Sequence, residues 1–502
     1  LQISTLSVEH LTNPVGLDET QPKFSWVLTS KQRNVMQTAY EIQVADNVAI
    51  KGKLVWKTGK VLSDASINVS YNGEKLQSGK RYFWRVRAWD NKGNCSGWSN
   101  VNFWQMALLN TADWKAQWIE SDMKEVKRLC PQFRKSFSAN KTIQTATAYI
   151  TAHGMYEANI NGKKIGDAFL TPGFTSYNKR LQYQTYDVTS MLQKGENVIA
   201  VNVGNGWYRG YLGWITQVNT WGDKLGLLLQ LDITYTDGTK ESVITDGSWK
   251  SATGSIVTAE IYYGETIDAN KETTGWKLPD YDESKWAGVK VADYKLNNLV
   301  ATYNEPVRKH EVFKATKVIT TPKGEKVLDF GQNMVGFESI KVKGQKGDTI
   351  RIYHAEVLDK AGNFYTENLR TATSVSTYVL SGNGEESFEP HFTFYGFRYI
   401  KIVGARGEIN PENFPAVALY SDIQKNGSFT TSNPLINQLQ SNITWGQRGN
   451  FLDIPTDCPQ RDERLGWTGD AHVFVRTAAY NRGVYNFFAK WMKDVAADQW
   501  ED

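Results

Sequence analysis

The hydrophobic period of this chain changes once, near residue 424, and that change constrains its fold more than any other feature. Before it, apolar residues alternate with polar ones in short runs divided by Gly, Asn and Asp turn signals, which is the period of half-buried strands. After it, apolar residues recur at helical spacing. In the first part, Tyr82, Trp84, Val86 and Ala88 take one face of a strand while Arg85 and Arg87 take the other, and Leu76, Gly79 and Tyr82 are spaced as in a tyrosine corner. Asn161-Gly162 and Asp237-Gly238 predict tight hairpins. Later, Asn433-Pro434 reads as an N-cap and N1 proline ahead of Ile436, Leu439 and Ile443. Two further stripes follow, one on Ala471, Phe474, Val475, Ala478 and Ala479, the other on Val484, Phe487, Phe488, Trp491, Met492 and Val495.

At 502 residues the chain is long enough for three or four domains. The expected fold class is multidomain, with antiparallel β-sandwiches followed by a helical unit. The expected divisions are 1–108 (fibronectin-type sandwich), 109–300 and 301–423 (further sandwiches), and 424–502 (helical). The three stripes look like the beginning of a larger helical domain, cut off.

Composition removes several function classes. A net charge of +4 without a long basic run gives nucleic acid no electrostatic footprint. No apolar run is long enough for a membrane span. Cys95, Cys130 and Cys458 form neither a disulfide framework nor a zinc knuckle, and the six histidines include no HExxH pair, so no metal and no cofactor is expected. The chain begins at Leu1 without a charged-then-apolar leader, as after signal removal or trimming. A periplasmic or secreted location is favoured. The 18 Trp, 24 Tyr and 21 Phe are mostly expected in β cores, but indole faces also stack on sugar C–H faces, which raises the question of a carbohydrate ligand. The cluster GNGWYRGYLGW (204–214) reads either as a sugar-contacting loop or as a packed interface; it lacks the pattern of a phosphate loop.

The chemistry is expected in DIPTDCPQRDERLGWTGD, residues 453–470, read as a loop between the first two helices. Asp457, Asp462, Glu463 and Asp470 lie close to Arg461, Arg464 and Trp467. Neighbouring carboxylates raise one another's pKa, and an indole adds desolvation. One carboxyl would thereby stay protonated near neutral pH, as glycoside hydrolysis requires. The plainer reading is a salt-bridged corner holding helices together. A calcium loop does not fit, because the DxDxDG pattern is absent. Cys458 lacks a nearby His to serve as a nucleophile.

DCPQRDERLGWTGDAHVF (457–474) closely resembles the signature loop of bacterial α-L-rhamnosidases, glycoside hydrolase family 78. NGKKIGDAFLTPGFTSYNKRLQYQTYDVT (161–189) with GNGWYRG resembles that family's N-terminal sandwich. VLDFGQNMVGF (327–337), HAEVLDKAGNFYTENLR (354–370) and HFTFYGFRYIKI (391–402) resemble its second sandwich. The resemblance implies an inverting exo-glycosidase that removes terminal α-L-rhamnose from glycosides or polysaccharides, built on an (α/α)6 barrel preceded by β-domains. It assigns Glu463 as general acid, with Asp462 as the fallback, and Asp457, Arg461, Trp467 and Asp470 to the rhamnose pocket. It places the general base on a glutamate further along than residue 502, so the chain is expected to be an inactive fragment. The alternatives are a carbohydrate-binding sandwich array and a related exo-glycosidase acting on another sugar.

Overall fold

Alternation along Arg81–Asp90 sets the first layer: Tyr82, Trp84, Val86 and Ala88 are buried. On the other face, Arg85 and Arg87 lie 4.5 and 4.6 Å from the Trp98 ring. The strand pairs with Gln37–Ala45 and Asn102–Met106 in a six-stranded sheet, opposed by a three-stranded sheet built on Gln2–Val8 and Lys23–Thr29. The Tyr82 hydroxyl accepts the Gln77 amide at 2.9 Å, so the expected tyrosine corner is present. The computed structural model describes residues 1–124, 128–214 and 217–500.

A second sandwich packs a seven-stranded sheet on a five-stranded one. Its central pair, Ile143–His153 with Gly226–Tyr235, runs antiparallel from Ile143 opposite Tyr235 to His153 opposite Gly226. Asn161 and Gly162 both take positive φ, 50° and 80°, and close the predicted hairpin between Met155–Ile160 and Lys163–Lys164. A nine-stranded sheet forms the third layer system. It draws Ile256–Glu260 and Gly264–Asp268 from before residue 300, with Gly264–Asp268 lying parallel to Val375–Val379. One apolar core accordingly runs from Trp114, Tyr183 and Trp207 to Phe337 and Phe397.

Helices are few. A one-turn helix α1 (Gly206–Arg209) precedes α2 (Pro434–Asn450), α3 (Thr468–Asn481) and α4 (Tyr485–Asp498). The Asn433 side chain accepts the Leu435 amide at 2.9 Å, and Pro434 opens α2, as the sequence predicts. The stripes are only partly used. Helix α2 packs its C-terminal half, at Gln447 and Gly449, on Lys326–Glu338 and Ala416–Ser421. Its Ile436 and Leu439 stay exposed. In α3, Ala471 and Ala478 are buried while Ala479 is exposed; in α4, Phe487 and Trp491 are buried. Polar groups fix the helices to the sandwiches. Lys490 donates to Asp453 at 2.8 Å, Asp453 also accepts the Phe174 amide at 2.6 Å, and Thr175 donates to Asp494 at 2.8 Å.

Candidate active site

The segment after α2 turns at once. Phe451–Leu452 and Ile454–Pro455 form a small hairpin, with Asp453 at φ +66°. The loop that follows ends at Trp467, three residues earlier than expected, because Thr468, Gly469 and Asp470 form the first turn of α3. Asp470 sits where the positive end of the helix dipole favours an acid.

The loop is held against the sandwiches by a residue that sequence reasoning counted only as charge. Arg464 is fully buried at φ +50°. Its guanidinium donates to the carbonyls of Ile261 (3.1 Å), Phe394 (2.8 Å), Gln460 (3.0 Å) and Arg461 (3.0 Å), between the rings of Tyr262 and Phe394. Burial pulls its pKa down to about 10. Gly396 makes the approach possible, since a Cβ there would lie 2.9 Å from Gln460 Cβ. The plainer reading, a salt-bridged corner holding two helices together, is not what Arg464 builds: it hydrogen-bonds backbone carbonyls and ties the loop to β-structure.

Asp462 belongs to that anchorage. It is buried, accepts the Thr371 hydroxyl at 2.5 Å and pairs with Arg370 Nε at 2.9 Å. This placement turns the fallback acid away from open space.

Glu463 is the centre of the remaining network. Its Oε2 receives Arg370 Nη2 at 2.6 Å and Arg461 Nη2 at 3.0 Å, and its Oε1 receives the Trp467 indole N–H at 3.0 Å. Its side chain is 14% exposed. The expectation of a carboxyl kept protonated by acidic neighbours and Trp467 is overturned. Partial burial pushes the pKa up, but Arg370, Arg461 and the Trp467 N–H outweigh it and hold the carboxyl below the ordinary glutamate range. Trp467 acts on it as a donor, not as an apolar wall.

Asp457 is joined to the same network. It accepts the Leu465 amide at 3.0 Å and Arg461 at 3.4 Å, and its own amide donates to the Leu465 carbonyl. Asp457 and Asp470 line a cleft of about 580 Å³ together with Gln447, Asn450 and Phe474, and Glu463 is not among the lining residues. Four of the five predicted residues (Asp457, Arg461, Glu463 and Trp467) thus form one hydrogen-bonded cluster, while Asp470 meets it only through the cleft it shares with Asp457. Asp457, Cys458 and Glu463 bring potential metal ligands within 4.8 Å of one another. The Arg461 guanidinium already bridges the two carboxylates, so their charge is answered by a side chain.

Three contributors come from the region in which no catalytic constellation was expected. Arg370, at φ +57°, reaches Glu463 and Asp462 from the third sandwich. Tyr262 donates its hydroxyl to the Glu463 carbonyl and accepts the Gly213 amide. Trp214, the last residue of GNGWYRGYLGW, stacks on Trp467 with ring centroids 5.5 Å apart. The earlier part of that cluster (Trp207, Tyr208, Arg209) is buried interface, while Trp214 is 46% exposed. The HAEVLDKAGNFYTENLR motif was the available pointer to Arg370; nothing local pointed to its partner.

Comparison with known proteins places these elements. Residues 141–311 match the alpha-L-rhamnosidase N-terminal domain, and 3–110 a Rha78A-like N-terminal immunoglobulin domain. Residues 319–420 match the bacterial alpha-L-rhamnosidase concanavalin-like domain, and 424–502 the bacterial alpha-L-rhamnosidase 6 hairpin glycosidase domain. An alpha-L-rhamnosidase of Formosa agariphila is 39% identical over 98% of this chain and 55% of its own length. One of Streptomyces avermitilis is 33% identical over the whole chain and 65% of its own length. Among solved structures, the native Aspergillus terreus enzyme superposes with a TM-score of 0.93 at 41% identity, covering 98% of this chain and 57% of that one. The Streptomyces avermitilis enzyme, solved in complex with L-rhamnose, gives 0.92 at 32% identity, covering 100% and 65%. The chain thus spans between about half and two thirds of the length of these relatives. With the signature loop, the sandwiches before it and the helices after it all accounted for by one group of enzymes, the chain belongs to the bacterial α-L-rhamnosidase family, glycoside hydrolase family 78.

Proposed function

We propose that this chain carries the acid side of an inverting α-L-rhamnosidase that releases terminal rhamnose from glycosides or polysaccharides in the periplasm or outside the cell. The observation that carries the reading is Glu463, a carboxylate at the rim of a loop anchored on β-structure, one oxygen toward two guanidinium groups and the other on an exposed indole. Relatives at 33–39% identity are alpha-L-rhamnosidases, and one similar structure holds L-rhamnose, which supports the choice of sugar.

In this reading, Glu463 protonates the departing glycosidic oxygen. Asp457, Arg461 and Asp470 bind sugar hydroxyls through charge-assisted hydrogen bonds, and Trp467 takes the apolar face with its methyl group. Inversion needs a second carboxylate ~6.5–9.5 Å away, with water between the two. In the same reading that base lies further along than residue 502, and α2–α4 are the opening helices of an (α/α)6 barrel. As described, Glu463 is ionised. The acid form calls for added negative charge and added burial beside it, which a general base and a barrel wall would supply.

The test uses the chain extended to the length of its relatives. Glu463→Gln lowers kcat/KM on an unactivated rhamnosyl disaccharide by roughly 10²–10⁴-fold. The loss is smaller on the p-nitrophenyl rhamnoside, whose leaving group needs little protonation. Equal rates for the variant and the parent on the disaccharide remove Glu463 from the role.

A further inference from the structure

Trp214 reaches the candidate site from a different domain than every residue assigned to it by the signature loop. It stands on the loop that follows α1 in the second sandwich, and it is stacked on Trp467 at an interplanar angle of 24°. Its position relative to Glu463 is fixed by a hydrogen-bond relay: the Gly213 amide donates to the Tyr262 hydroxyl, which donates to the Glu463 carbonyl. Leu465, two residues beyond Glu463, lies 3.8 Å from where a Cβ on Gly213 would stand. The Trp207–Arg209 part of the same cluster is buried, which anchors the loop from behind.

Both indoles keep open surface, 46% for Trp214 and 40% for Trp467. An exposed aromatic pair beside a carboxylate offers apolar surface to a flat apolar face of a ligand. Trp467 is tied by its N–H to Glu463 Oε1; on the rhamnosidase reading it flanks the sugar being cleaved, and Trp214 is the next aromatic ring beside it. On that reading, a second ring beside Trp467 is available to the departing half of the substrate.

We infer that Trp214 is a leaving-group platform: a β-sandwich side chain that stacks on the aglycone, an aryl ring or the apolar face of a second sugar, while Glu463 protonates the bond between the two halves. The inference rests on the rhamnosidase reading above and adds to it the element that senses what rhamnose is attached to.

Three substrates separate the outcomes in the chain extended to its relatives' length: p-nitrophenyl α-L-rhamnoside, a rhamnosyl disaccharide, and α-L-rhamnosyl fluoride, whose leaving group has no face to stack. Trp214→Ala raises KM for the aryl glycoside or the disaccharide about tenfold more than for the fluoride, and Trp214→Phe recovers most of the difference. A loss confined to the aryl glycoside or to the disaccharide names which face the platform takes. Equal losses on all three substrates, or none, overturn the inference: the first makes Trp214 a brace for Trp467 or a packing surface, the second an idle side chain. If the parent hydrolyses none of the three, the rhamnosidase reading itself has failed, and that result is distinct from either of the others.

Discussion

At the scale of a single residue, Arg370 is the foremost of the partners that hold the Glu463 carboxyl below the ordinary glutamate range. Its Nη2 lies 2.6 Å from Glu463 Oε2 and its Nε 2.9 Å from Asp462, so one guanidinium answers two adjacent acids. Because the folded pKa of Glu463 is depressed, this pairing stabilises the fold above the ordinary carboxylate range and is lost as pH falls through the folded pKa. Removing Arg370 should therefore move the titration of Glu463 upward and make the fold less sensitive to acid at this site. A carbon-13 NMR titration of side-chain carboxyls, with Glu463→Gln to assign the resonance, should show a higher midpoint in Arg370→Ala. An unchanged midpoint would mean that Arg461 and Trp467 alone set the charge. Legibility at this scale was uneven. Asp457, Arg461, Glu463 and Trp467 were found from a short motif and do meet, whereas the ionisation of Glu463 depended on a side chain 93 residues upstream.

At the scale of an element, the loop between α2 and α3 is rigid because Arg464 is built into it as a strut. A buried cation with four carbonyl acceptors satisfies backbone groups next to strands of the nine-stranded sheet and of the loop at once. Arg464→Met should leave these carbonyls without their donor and cost at least about 3 kcal/mol, read as a lower midpoint in urea. Arg464→Lys should recover only part of that, because an ammonium cannot reproduce the planar fork of donors. Wild-type stability in Arg464→Met would show that the loop is held by its apolar contacts instead. Element boundaries followed the local code where it is strong, as at Asn433-Pro434 and Asn161-Gly162. They departed from it at Thr468–Asp470, where the helix begins inside what the polar composition marked as loop.

At the scale of the whole molecule, the helices are joined to the sandwiches by buried polar pairs as well as by apolar contacts. Lys490 and Asp453 are both nearly inaccessible and 2.8 Å apart, Asn486 donates to the Glu9 carbonyl of the first sandwich, and Arg482 donates to the Ile423 carbonyl. Removing one member of such a buried pair strands the other charge, so Lys490→Met should cost roughly 3–5 kcal/mol. Adding Asp453→Asn should recover a good part of it. A double-mutant cycle by chemical denaturation measures this directly, and additive losses would show that the pair contributes no coupling. Meanwhile Ile436 and Leu439 of the α2 stripe remain exposed, whereas Ala478, Phe487 and Trp491 of the later stripes are buried, so the apolar stripes that identified the helices from sequence dock them only in part.

What the sequence by itself determined was everything governed by near neighbours along the chain. Periods of two and of about 3.6 residues follow from backbone geometry, so strands before residue 424 and helices after it were legible, as were the hairpin turns and the N-cap. The signature loop was legible too, because its residues are contiguous. Only the tertiary structure decided that Arg370, Tyr262 and Trp214 join that loop, and that cationic partners hold the Glu463 carboxyl below its ordinary range. The physical reason is the same for each: pKa and stacking depend on distance in space, and the partners that set them are supplied by strands and loops far away in the chain, where no local pattern marks them.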